Sequence, residues 1–460
     1  MTDVSLGFLA DRLPSDRLSL DPTDRAEYDA DWGRSGGDPD VVVWPESTDE
    51  VAAVLAACDE RGVPVTPYAA GSGIEGAALA TTGGVTLDTT RMDGVGPVRP
   101  DDLQMDVAPG AVGGDVEAAA ADRGLVCPPF PQSAAFSTIG GMVATGASGT
   151  QTVKYGEVGD WVLGLEAVLA DGTVIETGSR ARKSSSGYDL TALLVGSEGT
   201  LAVVTRVTLA LAPEPRARRA GRATFETLDD ATAAVARVVR EGVDVATLEL
   251  VDPLTARMAS AHADADVPPD PSVYVEIHDG TEAGADAEAT RCESVLSAAG
   301  GAVSFADDPA EMERIWAARR QAVDAIKTWD PDRTPLTVGD VTVPIGSFPE
   351  MVRSVRSIGA EYGFDVPAFG HAGDGNVHYA VLVDPDDPDE VARGKEASDR
   401  IVERALALEG TSTGEHGVGL GKQSYMSDEH GAAVGAMRAV KDALDPNGTL
   451  NPETALPPAQ

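Results

Sequence analysis

Residues 71–76 read Gly71-Ser72-Gly73-Ile74-Glu75-Gly76, which matches the G-x-G-x-x-G pattern of dinucleotide-binding Rossmann domains. In those domains a long helix starts inside the pattern and crosses back over a parallel sheet. Here only the six residues 77–82 separate Gly76 from the next glycine pair, which is too few for a crossover helix. The context therefore argues against a Rossmann fold. Two interpretations are left: a glycine loop whose backbone N–H groups bind an anion, or a plain tight turn.

The segments around this loop predict a mixture of helices and strands. A capping box at 47–50 (STDE) predicts the start of a helix that Gly62 ends. Residues 137–160 are rich in Gly, Ser and Thr, and we expect them to form a loop. An alanine-rich segment predicts a short helix at 113–123. Apolar segments predict strands at 41–44, 63–67, 85–88, 104–107, 162–169, 173–176 and 202–211. Residues 1–212 are thus predicted to form one α+β unit.

A proline-bearing, locally basic junction at 213–219 (PEPRARR) marks a domain boundary. Beyond it the pattern alternates between helices and strands, which predicts a second domain of a sheet with helices. The segments concerned are helices at 227–240 and 284–298 and strands at 246–250 and 273–277. A last helix is predicted at 433–444. We therefore predict domains at 1–212 and 213–432, followed by a C-terminal segment at 433–460.

Two further glycine-bearing runs favour ligand binding over a plain turn. Residues 128–156 (PPFPQSAAFSTIGGMVATGASGTQTVKYG) form a long stretch of small side chains, which is uncommon in a compact domain unless it has a function. Residues 196–200 (GSEGT) precede an apolar strand. Small side chains allow a flat ligand to approach closely, and hydroxyl and N–H groups can bind its oxygens.

The composition excludes several classes of function. The chain has 35 Lys and Arg against 75 Asp and Glu, a net charge of −40, and the acids are spread along it. We interpret this as adaptation of the surface to high salt; it argues against a nucleic-acid partner, which needs basic patches. No apolar run approaches the roughly 20 residues of a membrane helix, and we expect no signal peptide. Three cysteines without a C-x-x-C pair argue against iron–sulfur or cysteine-zinc sites and favour a cytoplasmic setting.

Three of the six histidines lie in two glycine-rich motifs of the second half. His371 and His378 lie in GHAGDGNVH (370–378), and His416 follows Glu415 in GEHG (414–417). A glycine turn between His371 and His378 could bring both rings together, and His with carboxylate suits a divalent ion. Glu415 and His416 could take different roles, because neighbouring side chains on an extended chain diverge. The alternative is that these histidines are hydrogen-bonded structural residues at turns.

Taken together, these motifs resemble the FAD-linked D-2-hydroxy-acid dehydrogenases of the vanillyl-alcohol-oxidase and p-cresol-methylhydroxylase (PCMH) superfamily. The three glycine runs and RKSSSGYDLTALLVGSEGTL (182–201) carry the resemblance, with GHxGDGNxH and GTxTGEHGxG in the second half. It implies an α+β fold: a two-subdomain PCMH-type FAD-binding domain plus an α/β substrate cap domain with an antiparallel sheet.

The resemblance also implies which residues bind FAD. The first loop would hold the pyrophosphate, although its Glu75 is an acid in an anion site, so we expect that carboxylate to point away. The second run would line the flavin, and residues near GSEGT and the C-terminal LNP would contact other parts of the cofactor. The residues are Gly71, Ser72, Gly73, Ile74, Gly76, Ser137, Thr138, Gly140, Gly141, Thr145, Ser148, Gly149, Tyr155, Gly156, Glu198, Gly199, Val204 and Asn451. The first loop lacks the His of many covalent-FAD relatives, which favours non-covalent FAD.

In the second half the resemblance implies a metal-assisted oxidation. His371, His378 and Glu415 would bind a divalent metal, Zn²⁺ or Mn²⁺, and His416 would be the general base. Arg319 would pair with the carboxylate of a 2-hydroxy acid. The substrate would lose a hydride to FAD and become a 2-oxo acid.

Two departures favour a small substrate. Relatives acting on 2-hydroxyglutarate carry a Lys where this chain has Val338 and an Asn where it has Ala380. Their absence argues against a second carboxylate and favours D-lactate or glycolate. One alternative is a non-catalytic FAD-binding subunit of a glycolate oxidase-type complex. A second is a metallohydrolase with no flavin, which would leave the three glycine runs unexplained.

The electron acceptor would be external: a quinone, a cytochrome, an electron-transfer flavoprotein or an iron–sulfur subunit. Peripheral association with the inner face of the cell membrane and a homodimer are both compatible with this interpretation.

The charge predicts a dependence of stability on salt. Repulsion among surface acids is felt over about 10 Å at 0.1 M salt and about 3 Å at 1 M. Raising KCl from 0.1 M to 2 M should therefore raise the thermal unfolding midpoint, measured by circular dichroism. An uncharged osmolyte at matched osmolality is the control, and an unchanged midpoint in KCl would contradict the prediction.

Overall fold

A computed structural model of the protein describes residues 7–263, 268–306, 308–320 and 322–458. The chain divides into two compact units. The first comprises the described parts of Met1–Gly149, Gly156–Glu214 and Glu415–Gln460, and the second comprises Thr150–Tyr155 and the described parts of Pro215–Gly414. This division differs from the predicted one in three places: 213–214 and 415–432 belong with the first unit, and 150–155 belong with the second.

The first unit contains a four-stranded sheet in which three strands are parallel. The strand order is Leu18–Ser19, Val41–Val43, Val85–Asp88, Val65–Tyr68, and the first pair is antiparallel. Val41–Val43 is buried on both faces, as a continuous apolar run in a parallel sheet should be. Residues 69–84, all of which the structure describes, contain no helix between two neighbouring parallel strands. The argument against a Rossmann fold is thus confirmed.

A second sheet of the first unit is antiparallel and has its own core. Its order is Gln104–Val107, Val203–Ala210, Val162–Val168, Val174–Gly178, and a separate two-stranded pair joins Leu125–Val126 to Ala212–Pro213. Met105, Ile139, Val207 and Leu209 lie in the hydrophobic cluster of this sheet, whereas Val43 and Leu55 belong to a different cluster. Val168 and Val203 of the antiparallel sheet also pack in the second cluster. The predicted α+β architecture with two sheets is confirmed.

The prediction of a loop over 137–160 was wrong in part. Ile139–Thr145 is an α-helix, capped by Thr138, whose Oγ1 accepts a hydrogen bond from Gly141 N at 3.2 Å, and ended by Gly146 in a left-handed conformation. Ile139, Met142 and Val143 form a buried face with helical spacing. Gly140 and Gly141 are poor helix formers, so the sequence does not predict a helix here. Burial of the apolar face stabilises the helix by more than the two glycines destabilise it.

The remaining elements of the first unit are helices that pack around these sheets. The α-helices are Gly7–Ala10, Pro22–Ala26, Thr48–Asp59, Gly113–Ala121, Leu190–Leu194, Met426–His430 and Ala433–Leu444, and the 3-10 turns are Ser15–Arg17, Thr89–Arg91, Gln132–Ala135, Val158–Trp161 and Gln423–Tyr425. Ser47 caps Thr48–Asp59 by accepting from Glu50 N, as its capping sequence predicts. Among all described residues, we find no helix with the length and apolarity needed to cross a membrane.

The second unit is built on a seven-stranded sheet in which every neighbouring pair is antiparallel. The strand order is Ala302–Phe305, Ala217–Thr224, Ser272–Asp279, Thr247–Val251, Ala368–Gly370, Asn376–Val383, Thr334–Thr342. Its α-helices are Thr152–Tyr155, Leu228–Arg240, Pro253–Ala263, Glu282–Ala298, Pro309–Arg320, Ala322–Thr328, Phe348–Tyr362 and Pro388–Ala407, with a 3-10 turn at Ala372–Asp374. The predicted antiparallel sheet with helices is confirmed.

A half-buried lysine anchors the C-terminal segment of the first unit. Lys441 Nζ donates to the carbonyl oxygens of Thr200 and Leu450, both at 2.6 Å, and pairs with Asp445. Asp445 is buried, and its carboxylate also accepts from the backbone N–H groups of Thr449 and Leu450 at 2.8 Å. One ion pair therefore holds the last helix, the GSEGT segment and the chain around Leu450 together.

Replacing Lys441 should destabilise the first unit. Lys441→Met leaves a buried carboxylate without its cation, a change that costs about 3 kcal/mol or more in the free energy of unfolding. We expect a lower denaturant midpoint by fluorescence. Lys395→Met, at an exposed helix position, is the matched control and should change little; equal midpoints for the two variants would contradict the assignment.

Candidate functional site

The three glycine runs come together within the first unit. Ser137 Oγ donates to Ser72 Oγ at 2.9 Å, which joins the second run to the first. Glu198 N donates to Ala144 O at 2.8 Å, which joins the third run to the helix Ile139–Thr145. Segments that are far apart in the sequence are thus joined by hydrogen bonds.

Asp31, which lies outside the first glycine loop in the sequence, accepts a hydrogen bond from the backbone of that loop. Its carboxylate accepts from Gly76 N at 2.8 Å and from Gly33 N at 2.9 Å. Burial raises the pKa of Asp31 above its usual value, and the hydrogen bonds from Gly33, Arg34 and Gly76 oppose that rise. An acid from outside the loop therefore already uses one of the N–H groups that the sequence assigns to an anion.

Glu75 is buried, and cations compensate its charge. Its carboxylate contacts Arg34 Nη2 at 3.2 Å and Lys422 Nζ at 3.6 Å. Its backbone carbonyl accepts from Leu420 N at 2.7 Å. Pairing with cations thus explains how this loop accommodates an acid. That the Glu75 carboxylate points away from the FAD phosphates stays a prediction.

Glu198 holds the backbone that follows the second histidine motif. It lies in a left-handed conformation, with φ +52°, and its carboxylate accepts from Val418 N and from Gly419 N, the latter at 2.8 Å. Burial raises the pKa of Glu198 to about 7; nearby Glu75 adds to the rise, while the two backbone hydrogen bonds and Lys422 oppose it. A contact of this side chain with FAD stays a prediction.

Asn451 ties two of these segments together. Its Nδ2 donates to Ala77 O, just after the first loop, and to Glu198 O, both at 2.8 Å. Two hydrogen bonds therefore join the C-terminal LNP to the glycine segments, and the contact of Asn451 with FAD stays a prediction.

The other predicted cofactor residues fall in several settings. A Cβ on Gly140 would lie 2.7 Å from Pro109 Cβ, so a larger residue would not fit there. Val204 packs against the core of the antiparallel sheet. Tyr155 belongs to the second unit, where its Oη contacts His278 Nδ1 at 2.9 Å. A flavin contact from Val204 or Tyr155 stays a prediction.

Glu415 and His416 lie in the first unit, on the segment that Glu198 holds. Ser148 Oγ donates to Glu415 Oε2 at 3.1 Å, and Glu415 Oε1 lies 3.8 Å from His416 Nε2. Gly417 follows with φ +77°, and a Cβ there would lie 2.3 Å from Glu198 Oε1. The glycine after His416 is thus required by both its conformation and its neighbour.

The second unit brings His371 and His378 together. His371 follows the strand Ala368–Gly370, a 3-10 turn at Ala372–Asp374 reverses the chain, and His378 lies on the returning strand. Both side chains are buried, and their ring centroids are 5.1 Å apart at an interplanar angle of 90°. The predicted convergence across a glycine turn is confirmed.

Glu249 joins His371 to Arg319. Its Oε1 lies 2.6 Å from His371 Nδ1, and its Oε2 accepts from Arg319 Nε at 2.9 Å and Nη2 at 2.5 Å. Burial disfavours the charged form of Glu249, but the His371 ring and the Arg319 guanidinium outweigh it and lower its pKa to about 2. The carboxylate is therefore ionised at the centre of a buried network.

Asp340 holds the chain that leads into the second histidine motif. Its Oδ2 accepts from Gly414 N at 2.7 Å and from Thr413 Oγ1 at 3.0 Å. Its Oδ1 accepts from Asn376 Nδ2 at 2.6 Å and lies 3.8 Å from His378 Nδ1. One acid thus fixes the residues before Glu415 and contacts the ring of His378.

Sequence reasoning missed Glu249, Asp340 and Asp31 as site residues. Glu249 and Asp340 each interrupt an apolar strand, Thr247–Val251 and Thr334–Thr342. A lone acid in an apolar strand is costly unless it is paired, so that pattern could have indicated them. Asp31 lies in a polar segment and carries no such signal.

Comparisons with known proteins identify the family of this chain. Residues 214–454 match the family described as "FAD linked oxidases, C-terminal domain", and residues 39–178 match "FAD binding domain". A "Probable D-lactate dehydrogenase, mitochondrial" of Danio rerio is 35% identical over 423 residues, covering 91% of this chain and 84% of that protein. "Glycolate oxidase subunit GlcD" of Bacillus subtilis is 36% identical over 418 residues, covering 90% of this chain and 88% of that protein.

The chain belongs to the FAD-linked oxidase family. As a member it is an FAD-dependent oxidoreductase that takes electrons from a substrate and passes them to an acceptor outside the chain. Its fold is shared by solved structures of much lower sequence identity. A p-cresol methylhydroxylase superimposes with a TM-score of 0.79 at 15% identity, over 97% of this chain and 95% of that one. An alkyldihydroxyacetonephosphate synthase gives 0.74 at 20% identity, over 96% and 84%.

The raised pKa of Glu198 predicts a pH dependence of stability in this FAD-linked oxidase. The folded protein binds the Glu198 proton more tightly than the unfolded chain, whose Glu has a pKa near 4.5. The stabilisation is therefore complete below about pH 4.5 and is lost as the pH rises through about 7, a change of up to roughly 3 kcal/mol. Glu198→Gln should lack this part of the dependence.

The measurement is the denaturant midpoint of wild type and Glu198→Gln from pH 5 to pH 8 in 2 M KCl. The difference between the two should change across that range. Glu396→Gln, at an exposed helix position, is the control and should run parallel to wild type. A constant offset between wild type and Glu198→Gln would show that Glu198 does not titrate in this way.

Proposed function

We propose that this FAD-linked oxidase converts a small D-2-hydroxy acid, D-lactate or glycolate, to the 2-oxo acid. Arg319 carries the proposal. It is a buried guanidinium whose Nη1 has no hydrogen-bond partner among the residues that the structure describes. A buried donor without a partner is costly, and a planar guanidinium suits a carboxylate. We infer that Nη1 binds the carboxylate of the substrate.

The charge balance around Arg319 supports a second binding group. Glu249 offsets the charge of Arg319, so Arg319 alone gives little net attraction for an anion. We propose that a divalent ion, Zn²⁺ or Mn²⁺, is held by His371 and His378 with Glu415. The donor set fits: two imidazoles and a carboxylate are ordinary ligands for these ions. A bound ion would act there as a Lewis acid toward the hydroxyl and carboxylate oxygens.

We propose His416 as the general base that takes the hydroxyl proton. Its half-buried ring lies on the segment that Glu198 and Gly417 hold. An imidazole ring is suited to accept a proton in general base catalysis. FAD supplies the acceptor for the hydride that leaves C2 of the substrate. The residues of the three glycine runs and Asn451 are proposed to hold FAD without a covalent bond, because the first loop has no His.

The register of two strands supports a substrate with one carboxylate. Val338 and Ala380 are directly opposite one another, two positions along from Asp340 and His378. Residues two apart on a strand share a face, so the face that carries His378 and Asp340 continues into two apolar side chains. A second carboxylate on that face would find no cation from either position. D-lactate and glycolate are therefore favoured over a dicarboxylic hydroxy acid.

A non-catalytic FAD-binding subunit is the second candidate, because a glycolate oxidase subunit is among the relatives. The buried network of His371, Glu249 and Arg319 favours the catalytic assignment, since a bystander subunit does not need it. We propose that the electron acceptor is a quinone, a cytochrome, an electron-transfer flavoprotein or an iron–sulfur partner. We also propose that the acidic surface is adapted to a cytoplasm of high salt concentration. Peripheral membrane association and a homodimer belong to the same proposal.

Anaerobic flavin bleaching tests the substrate. With Mn²⁺ or Zn²⁺ present in 2 M KCl, D-lactate or glycolate should bleach the flavin absorption band in a stopped-flow experiment. D-2-hydroxyglutarate should act at least about 10-fold more slowly, because each lost charge contact costs more than about 1.4 kcal/mol. L-lactate is the stereochemical control. A flavin that none of these acids bleaches would contradict the proposal and favour the non-catalytic subunit.

Replacing His416 tests the base. His416→Ala should keep its FAD, because its side chain is assigned to proton transfer, and should slow flavin reduction by about 100-fold or more. His430→Ala, a partly exposed His elsewhere in the first unit, is the matched control. Flavin reduction at the wild-type rate in His416→Ala would show that another group takes the proton.

A further inference from the structure

Glu249 is an unusual residue for its position. It lies in the middle of the strand Thr247–Val251, where all five residues are buried, and it is fully inaccessible to solvent. Its neighbours on the strand are Leu248 and Leu250, and Tyr274 lies opposite it on the adjacent strand. An apolar side chain would suit this environment, and replacing buried ion pairs by apolar residues is often neutral or stabilising. The fold alone therefore does not explain a carboxylate here.

The two oxygens of Glu249 serve two different partners. Oε1 meets His371 Nδ1 at 2.6 Å, and Oε2 meets the Nε and Nη2 edge of Arg319. We propose that Glu249 is a positioning residue that orients a metal-binding imidazole and a carboxylate-binding guanidinium together. This inference rests on the proposed function of His371 and Arg319.

For His371, the contact decides which ring nitrogen can bind a metal. A ring that donates from Nδ1–H to a carboxylate carries its lone pair on Nε2. Hydrogen bonding of this kind fixes the tautomer and the orientation of metal-binding histidines and makes them more basic. Glu249 would thus present Nε2 of His371 as the ligand atom.

For Arg319, the contact decides which edge of the guanidinium faces a substrate. Glu249 takes Nε and Nη2, and the guanidinium carbon lies 5.4 Å from the centre of the Phe369 ring. Nη1 is what is left for another acceptor, and it is buried without a partner among the described residues. Because the same carboxylate holds both groups, the distance between the proposed metal ligand and the proposed substrate clamp is set by one side chain.

The test is metal affinity, which does not depend on turnover. Glu249→Gln keeps the size of the side chain, but its amide cannot accept from both partners. We expect the Kd for Mn²⁺, measured by electron paramagnetic resonance on the FAD-loaded protein, to rise about 10- to 100-fold, with FAD content unchanged. The KM for D-lactate should rise as well. Glu390→Gln removes another buried carboxylate of the second unit, one that pairs with Arg333 Nη1 at 2.6 Å, and should leave the Mn²⁺ Kd at the wild-type value.

The outcomes separate the two proposals. If wild type neither binds Mn²⁺ nor is reduced by the hydroxy acids, the proposed function fails. If wild type does both and folded Glu249→Gln binds Mn²⁺ as tightly as wild type, the positioning role is wrong. If Glu249→Gln does not fold, Glu249→Asp, too short to reach both partners, is judged by the same criterion. If neither variant folds, ¹⁵N spectra of the wild-type histidines decide: a proton on Nδ1 of His371 supports the proposal, and a proton on Nε2 overturns it.

Discussion

A carboxylate buried in a protein costs several kcal/mol unless its charge is paired and its oxygens are hydrogen-bonded. Glu249 meets both conditions, and the arrangement of the second unit depends on it. Arg319 comes from the helix Pro309–Arg320, and His371 from the end of the strand Ala368–Gly370. Both are tied to the centre of the seven-stranded sheet by one side chain. The orientation of the two groups is therefore a property of the sheet, not of the loops around it.

Acids act in a similar way in the first unit, where they hold backbone rather than side chains. Asp31, Glu198 and Asp445 each accept from two or more backbone N–H groups. Glycine-rich segments have few side chains of their own with which to pack, so their shape must be fixed from outside. The acids that give the net charge of −40 are thus of two kinds, exposed and buried. Those on the surface repel one another, and those inside build the loops.

The sequence predicted the parts of the fold that have a regular pattern. Strand Val41–Val43 and helix Thr48–Asp59 follow from apolar spacing and a cap, and the absence of a helix after Gly76 follows from the short connection. The helix Ile139–Thr145 was missed because Gly140 and Gly141 mask a buried face that only tertiary packing reveals. Of the candidate site, the approach of His371 to His378 follows from the glycine turn between them. Glu249 was missed because its role depends on partners that are 70 and 122 residues away.

Asn451 has a consequence for how the protein is made. Its amide closes the first glycine loop by bonding to Ala77 O, across 374 residues of sequence, and to Glu198 O. The loop leaves the ribosome early, but this closing contact cannot form until synthesis has passed position 451. A chain halted before that point would carry every glycine of the three runs and still lack both hydrogen bonds of Asn451.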